Sequence, residues 1–485
     1  MSTTAADNSV SITPPPSYGA VQGEQDHANI VSSDGPRQDA PKDDVTDNHV
    51  FNEFGGPVGC LAILIGIPLL MCYSWVCLVT NQGHFLIPGS FSGLGAWFVE
   101  RLWEPFWATA SPNWMAVKIY LGFTLFMTAL GFIMPGPQMY GYPVPMYGGE
   151  RLKYNCNALW SWWAAQIVAA AIYLLGWFDL AQIYINLGPI MTVSLIWSFF
   201  VTFLCYFVTV AMGKQHRMSG NFIYDLFMGA CLYPRLGSID VKLFVELRLP
   251  WPMLFFVSVG CAAQQYNTLG YVTPESAFMV LAHWLYSNAC NKGEECVITS
   301  WDMFYEKFGG LLAIWNLAVV PFMYCYSSIY LVVRGPMNFS IFWVAFCYAL
   351  LLVGYFFWDT GNSQRNRFRM YHSGTLINRN AFPKLPCSFR PDYKYIQTEH
   401  GNKLLVDGWF AYARKPHYTA DLLMALSWGL ICGFESFFPY YYLVFFLIAL
   451  VHRVTRDDER CAVKYGDDWK KYHSMVPYKF FPGIY

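Results

Sequence analysis

Long runs of apolar side chains, separated by polar segments, dominate the chain from residue 54 onward. The first run carries no Asp, Glu, Lys or Arg between Glu53 and position 83, and its centre at 60–80 matches the roughly 20 residues that cross a bilayer as a helix. Comparable runs follow at 119–134, 158–178, 187–212, 250–271, 276–289, 310–333 and 339–358. Two shorter runs after Asp421 are interrupted by Glu435. The pattern predicts an all-α, polytopic membrane protein with about ten transmembrane helices, the short sixth one packed inside the bundle.

These runs divide the chain into three parts. Residues 1–52 are polar and rich in Ser, Asp, Gln and Pro, which predicts a disordered arm on the cytosolic side. Residues 53–358 hold the first eight predicted helices. Residues 359–485 combine charged and aromatic segments with the last two helices.

Composition supports a membrane protein and limits its partners. Hydrophobic residues make up 55% of the chain and charged residues only 13%, against about a quarter in soluble domains. The formal net charge of -1 provides no field that would attract nucleic acid, so we expect no nucleic-acid partner. Lysines and arginines gather at 214–248, at 365–403 and after His452, which predicts that these segments face the cytosol. The cysteine spacing fits neither disulfides nor a metal site.

An acidic segment between the sixth and seventh runs carries candidate proton donors. Asp302 and Glu306 are four residues apart, so on a helix they would share one face and could pair a donor with a second carboxylate. Alternatively, Glu306 forms an ion pair with Lys307 or Lys292 at the membrane surface. His283 is predicted to be a hydrogen-bonded core residue.

A basic segment follows Asp359. Arg365 and Arg369 are also four apart, and two guanidinium groups on one helix face suit a phosphate, although a basic end of a membrane helix is the alternative. Arginines, aromatics and carboxylates are dense again at 413–421 and 452–478. This mixture favours a pocket for an anionic nucleotide. No Gly-x-Gly-x-x-Gly motif follows a strand, which excludes a Rossmann site.

Several motifs in these segments closely resemble the sterol reductase family. They are Leu-Leu-Val-Asp-Gly-Trp at 404–409, Ala-Arg-Lys-Pro-His-Tyr-Thr-Ala-Asp at 413–421, Asp-x-x-x-Cys-x-x-Lys-Tyr-Gly at 457–466 and Val-Pro-Tyr at 476–478. Further matches are Gly-Asn-x-x-Tyr-Asp-x-Phe-Met-Gly at 220–229, Leu-Ala-His-Trp-Leu-Tyr at 281–286 and Trp-Asp-Met-x-Tyr-Glu-Lys-Phe-Gly at 301–309. Family members acting on ring double bonds usually have asparagine where His417 stands, so the resemblance is greatest to members that act on the sterol side chain.

The resemblance implies a ten-helix enzyme of the endoplasmic reticulum membrane, with a sterol pocket in 53–358 and NADPH bound by 359–485. Carried over by motif, the cofactor contacts are Arg365, Arg369, Leu405, Phe410, His417, Tyr418, Asp457, Cys461, Lys464, Tyr465 and Tyr472. The family usually has lysine at the position of Arg365. Its cofactor-contacting tryptophan often aligns with Phe410, which leaves Trp409 as the neighbouring substitute.

The implied reaction is NADPH-dependent reduction of the C-24(28) double bond of a sterol, the final step of ergosterol biosynthesis. An isolated double bond must be protonated before it accepts hydride, and Asp302 and Glu306 are the predicted acids. The alternatives are a delta-14 or delta-7 sterol reductase, a membrane methyltransferase using S-adenosylmethionine, and a non-catalytic sterol transporter or receptor. Association with other sterol-biosynthesis enzymes is left open.

Overall fold

The computed structural model describes residues 53–377 and 382–484, so the predicted arm at 1–52 lies outside the described residues. The protein is mostly helical, as predicted, and a helix is present at each of the ten apolar runs. We number these long helices α1 Gly56–Thr80, α2 Trp114–Ile133, α3 Ala158–Leu174, α4 Leu187–Ala211, α5 Val241–Leu269, α6 Pro274–Lys292, α7 Gly310–Arg334, α8 Ile341–His372, α9 Pro416–Leu430 and α10 Tyr441–Tyr465.

Seven helices in the described part of the chain are long and apolar enough to cross a membrane, namely α1, α2, α4, α5, α7, α8 and α10 with its preceding turn. The protein is therefore a multi-pass membrane protein. Helix α3 is apolar but shorter, at 17 residues. Helix α6 carries more polar residues, and most of its side chains are buried, as the prediction of a packed sixth helix requires.

Contact clustering divides the chain into two compact units. Of the described residues, the larger unit contains 53–353 and 422–447, and the C-terminal unit contains 354–377, 382–421 and 448–484. In the larger unit, helices α5 and α7 are buried over 83% and 89% of their most apolar windows, against 22% for α2. Helix α5 packs against α6, α7 and the short helix Ala181–Ile185, so it forms the interior of this unit.

Helix α5 begins irregularly, and its own prolines explain why. The Asp240 side chain accepts a hydrogen bond from the Leu243 backbone N–H, which starts the helix. The following turn, Phe244–Arg248, is a π-helix. Pro250 and Pro252 have no N–H to donate to the carbonyls four residues earlier, so the regular ladder is broken at this turn. The wider turn carries Glu246 and Arg248.

Two short antiparallel hairpins lie beside this turn in the larger unit. Strand β1 (Gln138–Val144) pairs with β2 (Glu150–Asn155), with a register shift between Tyr140 and Pro143. Strand β3 (Arg235–Leu236) pairs with β4 (Ile239–Asp240), which leads directly into α5. These hairpins were not predicted from the hydropathy pattern, because their strands are only two to seven residues long.

The C-terminal unit combines the second half of α8, the start of α9 and the end of α10 with a hairpin and a last helix, Asp467–Met475. Strand β5 (Tyr395–Gln397) pairs with β6 (Lys403–Leu405). One buried cluster holds Phe368, Tyr393, Leu405 and Phe410. A second holds Ile396, Val406, Trp469, Tyr472 and Val476.

The chain terminus is anchored within this unit by the segment that leads into α9. Arg414 Nη1 donates to the carbonyl oxygens of Val476 at 3.0 Å and Pro477 at 2.9 Å. The Thr419 hydroxyl donates to the Phe480 carbonyl at 2.7 Å. Arg414 therefore serves the fold rather than a ligand, since its guanidinium is buried against backbone acceptors.

Candidate functional site

A cluster of cationic side chains surrounds His417 in the C-terminal unit. Arg365 and Arg369 come from α8, Lys415 from the start of α9, and Arg453 from α10, and all four act electrostatically on the imidazole. His417 itself is buried. Burial and these four cations hold the pKa of His417 well below its usual range, so the ring is neutral at physiological pH.

The hydrogen bond between Arg365 and His417 fixes the tautomer of the ring. Arg365 Nη1 lies 3.3 Å from His417 Nε2, and a guanidinium can only donate, so Nε2 is the acceptor. Nδ1 must then carry the proton. Nδ1 is buried and has no hydrogen-bond partner among the described residues. A buried N–H donor inside a cationic cluster is complementary to an anionic or carbonyl acceptor on a ligand.

Asp457 provides the negative charge of the cluster. Its carboxylate accepts from Lys415 Nζ at 2.5 Å and from Arg460 Nη2 at 3.2 Å. Cys461, one helical turn later on α10, places its sulfur 3.9 Å from Asp457 Oδ1. Asp457 thus orients Lys415 from α10, and Arg365 of α8 also acts electrostatically on the Asp457 carboxylate.

Aromatic side chains complete the surroundings of His417. The Tyr418 ring centre lies 4.4 Å from that of His417, and the Phe410 ring centre lies 5.8 Å from it. Trp409 differs from them, because its indole Nε1 donates to Thr360 Oγ1 at 2.9 Å and its ring packs edge-on against Phe357. The Trp409 side chain therefore packs against α8 and is hydrogen-bonded to it.

Of the other predicted cofactor residues, Leu405 and Tyr472 lie in the two buried clusters of the same unit, and Cys461 and Tyr465 pack against the second cluster. Leu405 and Tyr472 are core residues, and burial raises the pKa of Tyr472 to about 12. The Tyr465 hydroxyl accepts from Asn402 Nδ2 at 3.1 Å, and Lys464 Nζ lies 5.7 Å from the Tyr465 ring centre. Lys415 and Arg453 belong to the cationic cluster but were not among the predicted contacts. Their only sequence signal was their place in basic, aromatic-rich segments.

The two predicted acids lie in the larger unit, in a different arrangement from the predicted one. The helix Trp301–Phe304 ends with Tyr305 as its C-cap residue, and Glu306 lies beyond it, so Asp302 and Glu306 do not share a helix face. The prediction of a common face was wrong because it required a helix through Glu306. Instead, Trp301 Nε1 donates to Glu306 Oε1 at 2.9 Å, which folds the turn back on itself.

Arg217, from a distant segment, contacts this acidic turn, and Lys307 at the end of the turn contacts Arg217 in return. The guanidinium of Arg217 stacks on the Tyr305 ring at 4.0 Å and donates to the Tyr305 carbonyl. Lys307 Nζ donates to the Arg217 carbonyl at 2.8 Å. Burial, the first cause, lowers the pKa of Lys307 to about 8, with a smaller contribution from Arg217.

Sequence reasoning missed three charged residues next to the acidic turn. Lys242 is fully buried, and Asp240 and Glu246 lie beside it at the start of α5. The segment 214–248 was predicted to face the cytosol because of its lysines and arginines, and two of these, Lys242 and Arg248, are buried. Arg248 Nε donates to Glu294 Oε1 at 2.8 Å, and Glu294 Oε2 accepts from the Ala158 backbone N–H. The only sequence signal for these buried charged residues was their position at the edge of an apolar run.

The fold and the cationic cluster define a multi-pass membrane protein whose C-terminal unit is suited to an anionic ligand. The model of the Ergosterol biosynthesis ERG4/ERG24 family matches residues 48–485. The chain is 43% identical over 439 residues to a Delta(24(24(1)))-sterol reductase of Gibberella zeae, covering 89% of this chain and 73% of that protein.

Two further relatives extend the comparison. Identity to the Delta(24(24(1)))-sterol reductase erg4A of Aspergillus fumigatus is 40% over 443 residues, which cover 90% of this chain and 93% of the relative. Identity to a Delta(14)-sterol reductase of Methylotuvimicrobium alcaliphilum is 33% over 445 residues, or 92% and 99% of the two chains. The chain belongs to the ERG4/ERG24 family of sterol reductases.

Proposed function

We propose that this protein reduces the C-24(28) double bond of a sterol side chain with NADPH, the last reduction in making ergosterol. The observation that carries the proposal is the convergence of four cations on a neutral, buried His417 with an unpartnered N–H. The names of the relatives at 43% and 40% identity support the choice of double bond. Relatives named Delta(14)-sterol reductase are 30–35% identical to this chain, which makes the delta-14 double bond of the sterol the second candidate substrate bond.

The side chains around His417 fit a phosphorylated dinucleotide. Arg365 and Arg369, one turn apart on α8, suit the ribose 2'-phosphate, because guanidinium groups bind phosphate through paired N–H donors. Lys415, oriented by Asp457, adds a third donor. Phe410, His417 and Tyr418 offer ring faces. Of the other predicted contacts, Tyr472 lies in the neighbouring buried cluster, Cys461 and Tyr465 pack against it, and Lys464 lies near the Tyr465 ring. When bound, NADPH supplies the hydride.

The larger unit supplies the proton in this proposal. Asp302 and Glu306 are the acids. The Glu306 carboxyl group accepts from Trp301 Nε1, and Arg217 holds the neighbouring Tyr305. Protonation of the exocyclic methylene carbon leaves the positive charge on the tertiary C-24, which is the more stable cation. Water must be kept from that cation, and the buried surroundings of α5 and α7 are suited to excluding it.

The same proposal covers topology and location. Helices α3, α6 and α9 cross the membrane with the seven longer ones, which makes ten spans, and residues 1–52 face the cytosol. The protein is placed in the endoplasmic reticulum membrane, where sterol substrate enters from the bilayer. Residues 53–358 form the sterol part and residues 359–485 the NADPH part. Association with other sterol-biosynthesis enzymes is compatible with this location.

The test is a sterol assay on microsomes that contain the expressed protein. A delta-24(28) sterol is incubated with NADPH, NADH or S-adenosylmethionine, and the masses of the sterol products are determined by mass spectrometry. A gain of two hydrogens that depends on NADPH is the expected result. Reduction of a delta-14 or delta-7 sterol alone would change the substrate, a gain of a methyl group would favour the methyltransferase, and sterol binding without turnover would favour a transporter or receptor.

The acids are tested by separate substitutions. Glu306→Gln and Asp302→Asn keep the shape of each side chain and remove its acidity. We expect kcat to fall by roughly 100-fold or more in at least one variant, because a general acid contributes about 10²–10⁴ in rate. Full activity in both variants, with NADPH binding intact, would contradict the assignment.

A further inference from the structure

Lys242 is an ammonium group inside the larger unit. Its side chain is 0% exposed, and Nζ donates to the Met303 carbonyl at 2.9 Å and to the Glu306 carbonyl at 2.6 Å. Nζ also lies 5.6 Å from the Tyr233 ring centre. A buried ammonium is stable only when it is hydrogen-bonded and close to negative charge. Lys242 therefore ties the start of α5 to the turn that carries Asp302 and Glu306.

Four carboxyl groups lie around this ammonium. Asp240, Glu246, Asp302 and Glu306 all interact electrostatically with Lys242. Glu246 also interacts with each of the other three carboxyl groups. The groups come from two distant segments of the chain, which Lys242 joins through its two carbonyl contacts. Carboxyl groups that lie this close in a protein interior share protons more readily than separate ones do.

Glu246 has a buried carboxyl oxygen, Oε1, with no hydrogen-bond partner among the described residues. Asp240 Oδ2 also lacks a hydrogen bond there, but it lies 3.6 Å from Arg235 Nη2 in an ion pair. The Glu246 side chain projects from the π-helical turn Phe244–Arg248, and single π turns within α-helices occur often at functional sites. The described residues therefore leave the hydrogen-bonding capacity of Glu246 Oε1 unused.

On the basis of the proposed function, we infer that Glu246 is a third carboxyl group of the proton-donating centre and that Lys242 positions the acidic turn beside it. In the step assigned to this centre, the carboxyl O–H bond breaks and the electron pair of the double bond forms a C–H bond at the methylene carbon. The cation at C-24 then takes the hydride of the proposed reaction. The carboxylate regains its proton from water before the next turnover.

The first test compares Glu246→Gln with a matched control, Glu150→Gln. Glu150 is exposed on strand β2, so its variant makes the same chemical change away from the buried cluster. We expect Glu246→Gln to lower kcat by roughly 100-fold or more while KM and the Kd of NADPH change by less than about threefold. The control should match the wild-type protein in all three constants.

The second test examines the positioning role of Lys242. Lys242→Met removes both carbonyl contacts, and Lys242→Arg keeps donors that can reach them. We expect kcat to fall about tenfold in Lys242→Met, with KM little changed, and to recover at least in part in Lys242→Arg. A purely structural role would instead lower the melting temperature of both variants without separating their kcat values. If Lys242→Met does not fold, the Glu246 comparison still decides the inference.

The outcomes separate this inference from the proposed function. A wild-type protein that reduces no sterol with NADPH removes the proposed function, and the inference falls with it. An active wild-type protein with Glu246→Gln as active as Glu150→Gln overturns the inference alone. Loss of sterol or NADPH binding in Glu246→Gln with unchanged kcat also overturns it, since that result assigns Glu246 to binding.

Discussion

Replacing Arg365 by Leu tests the cationic cluster at its best-defined contact. Arg365 Nη1 lies 3.3 Å from His417 Nε2, and the side chain is one of four cations that act on the imidazole. Arg365→Leu keeps an apolar stem on α8 and removes the charge and its donors. If this guanidinium binds the 2'-phosphate, NADPH affinity should fall and NADH affinity should not.

The size of the loss follows from the kind of bond. A hydrogen bond to a charged group contributes about 1.5–3 kcal/mol, and each 1.4 kcal/mol is tenfold in Kd. We therefore expect the Kd of NADPH to rise roughly 10- to 150-fold. The three other cations remain, so binding should weaken rather than disappear. The Kd of NADH, which lacks the phosphate, should change by less than about threefold, since Arg365 makes no charged contact with it.

The assay is a titration of purified protein in detergent, with both cofactors followed by nicotinamide fluorescence. Arg367→Leu is the matched control, because Arg367 lies on the same helix but about 200° around it at about 100° per residue. The control should bind both cofactors as the wild-type protein does. Equal losses of NADPH and NADH affinity, or equal behaviour of the Arg365 and Arg367 variants, would refute the assignment of this arginine to the phosphate.

Three further predictions concern stability and residue roles. Arg248→Met leaves the buried Glu294 carboxylate without its guanidinium partner. Loss of this ion pair should lower the apparent melting temperature by on the order of 5–10 °C. An unchanged melting temperature would contradict the pairing. The pKa of His417 lies well below its usual 6.5, so the protein takes up a proton on unfolding at acid pH. The free energy of unfolding should therefore fall as the pH drops below about 6.5. The His417→Gln variant should show a weaker pH dependence in thermal melts recorded at several pH values. Trp409→Phe removes the donor to Thr360 and should cost about 1 kcal/mol with NADPH affinity unchanged, while a tenfold weaker Kd would assign the ring to the cofactor.

The positions of the long helices were predictable because crossing a membrane is a property of local composition. A run of about 20 apolar residues has to satisfy its backbone hydrogen bonds internally, so it forms a helix whatever its neighbours are. This reasoning located all ten long helices, including the polar and buried α6. It did not find the π turn at Phe244–Arg248, because that turn depends on which backbone donors Pro250 and Pro252 remove.

Motif resemblance selected residues for the candidate nucleotide site, and the structure places them in different surroundings. Leu405 and Tyr472 came from the same motifs as His417, yet both are buried in hydrophobic clusters. Trp409 was a candidate stacking residue, and its indole is hydrogen-bonded to α8. Lys415 and Arg453 were left out, although both act on His417. These surroundings depend on distances between side chains on different helices, which a motif does not contain.

The sequence by itself determined the membrane class, the helix positions and the family, since each depends on residues that are near one another in the chain. Only the tertiary structure decided the charged interior. Lys242 meets the carbonyls of Met303 and Glu306 from more than 60 positions away, and Arg248 meets Glu294 from 46. No local pattern encodes such pairs. The free energy of burying each charge depends on partners that the fold alone brings within hydrogen-bonding distance.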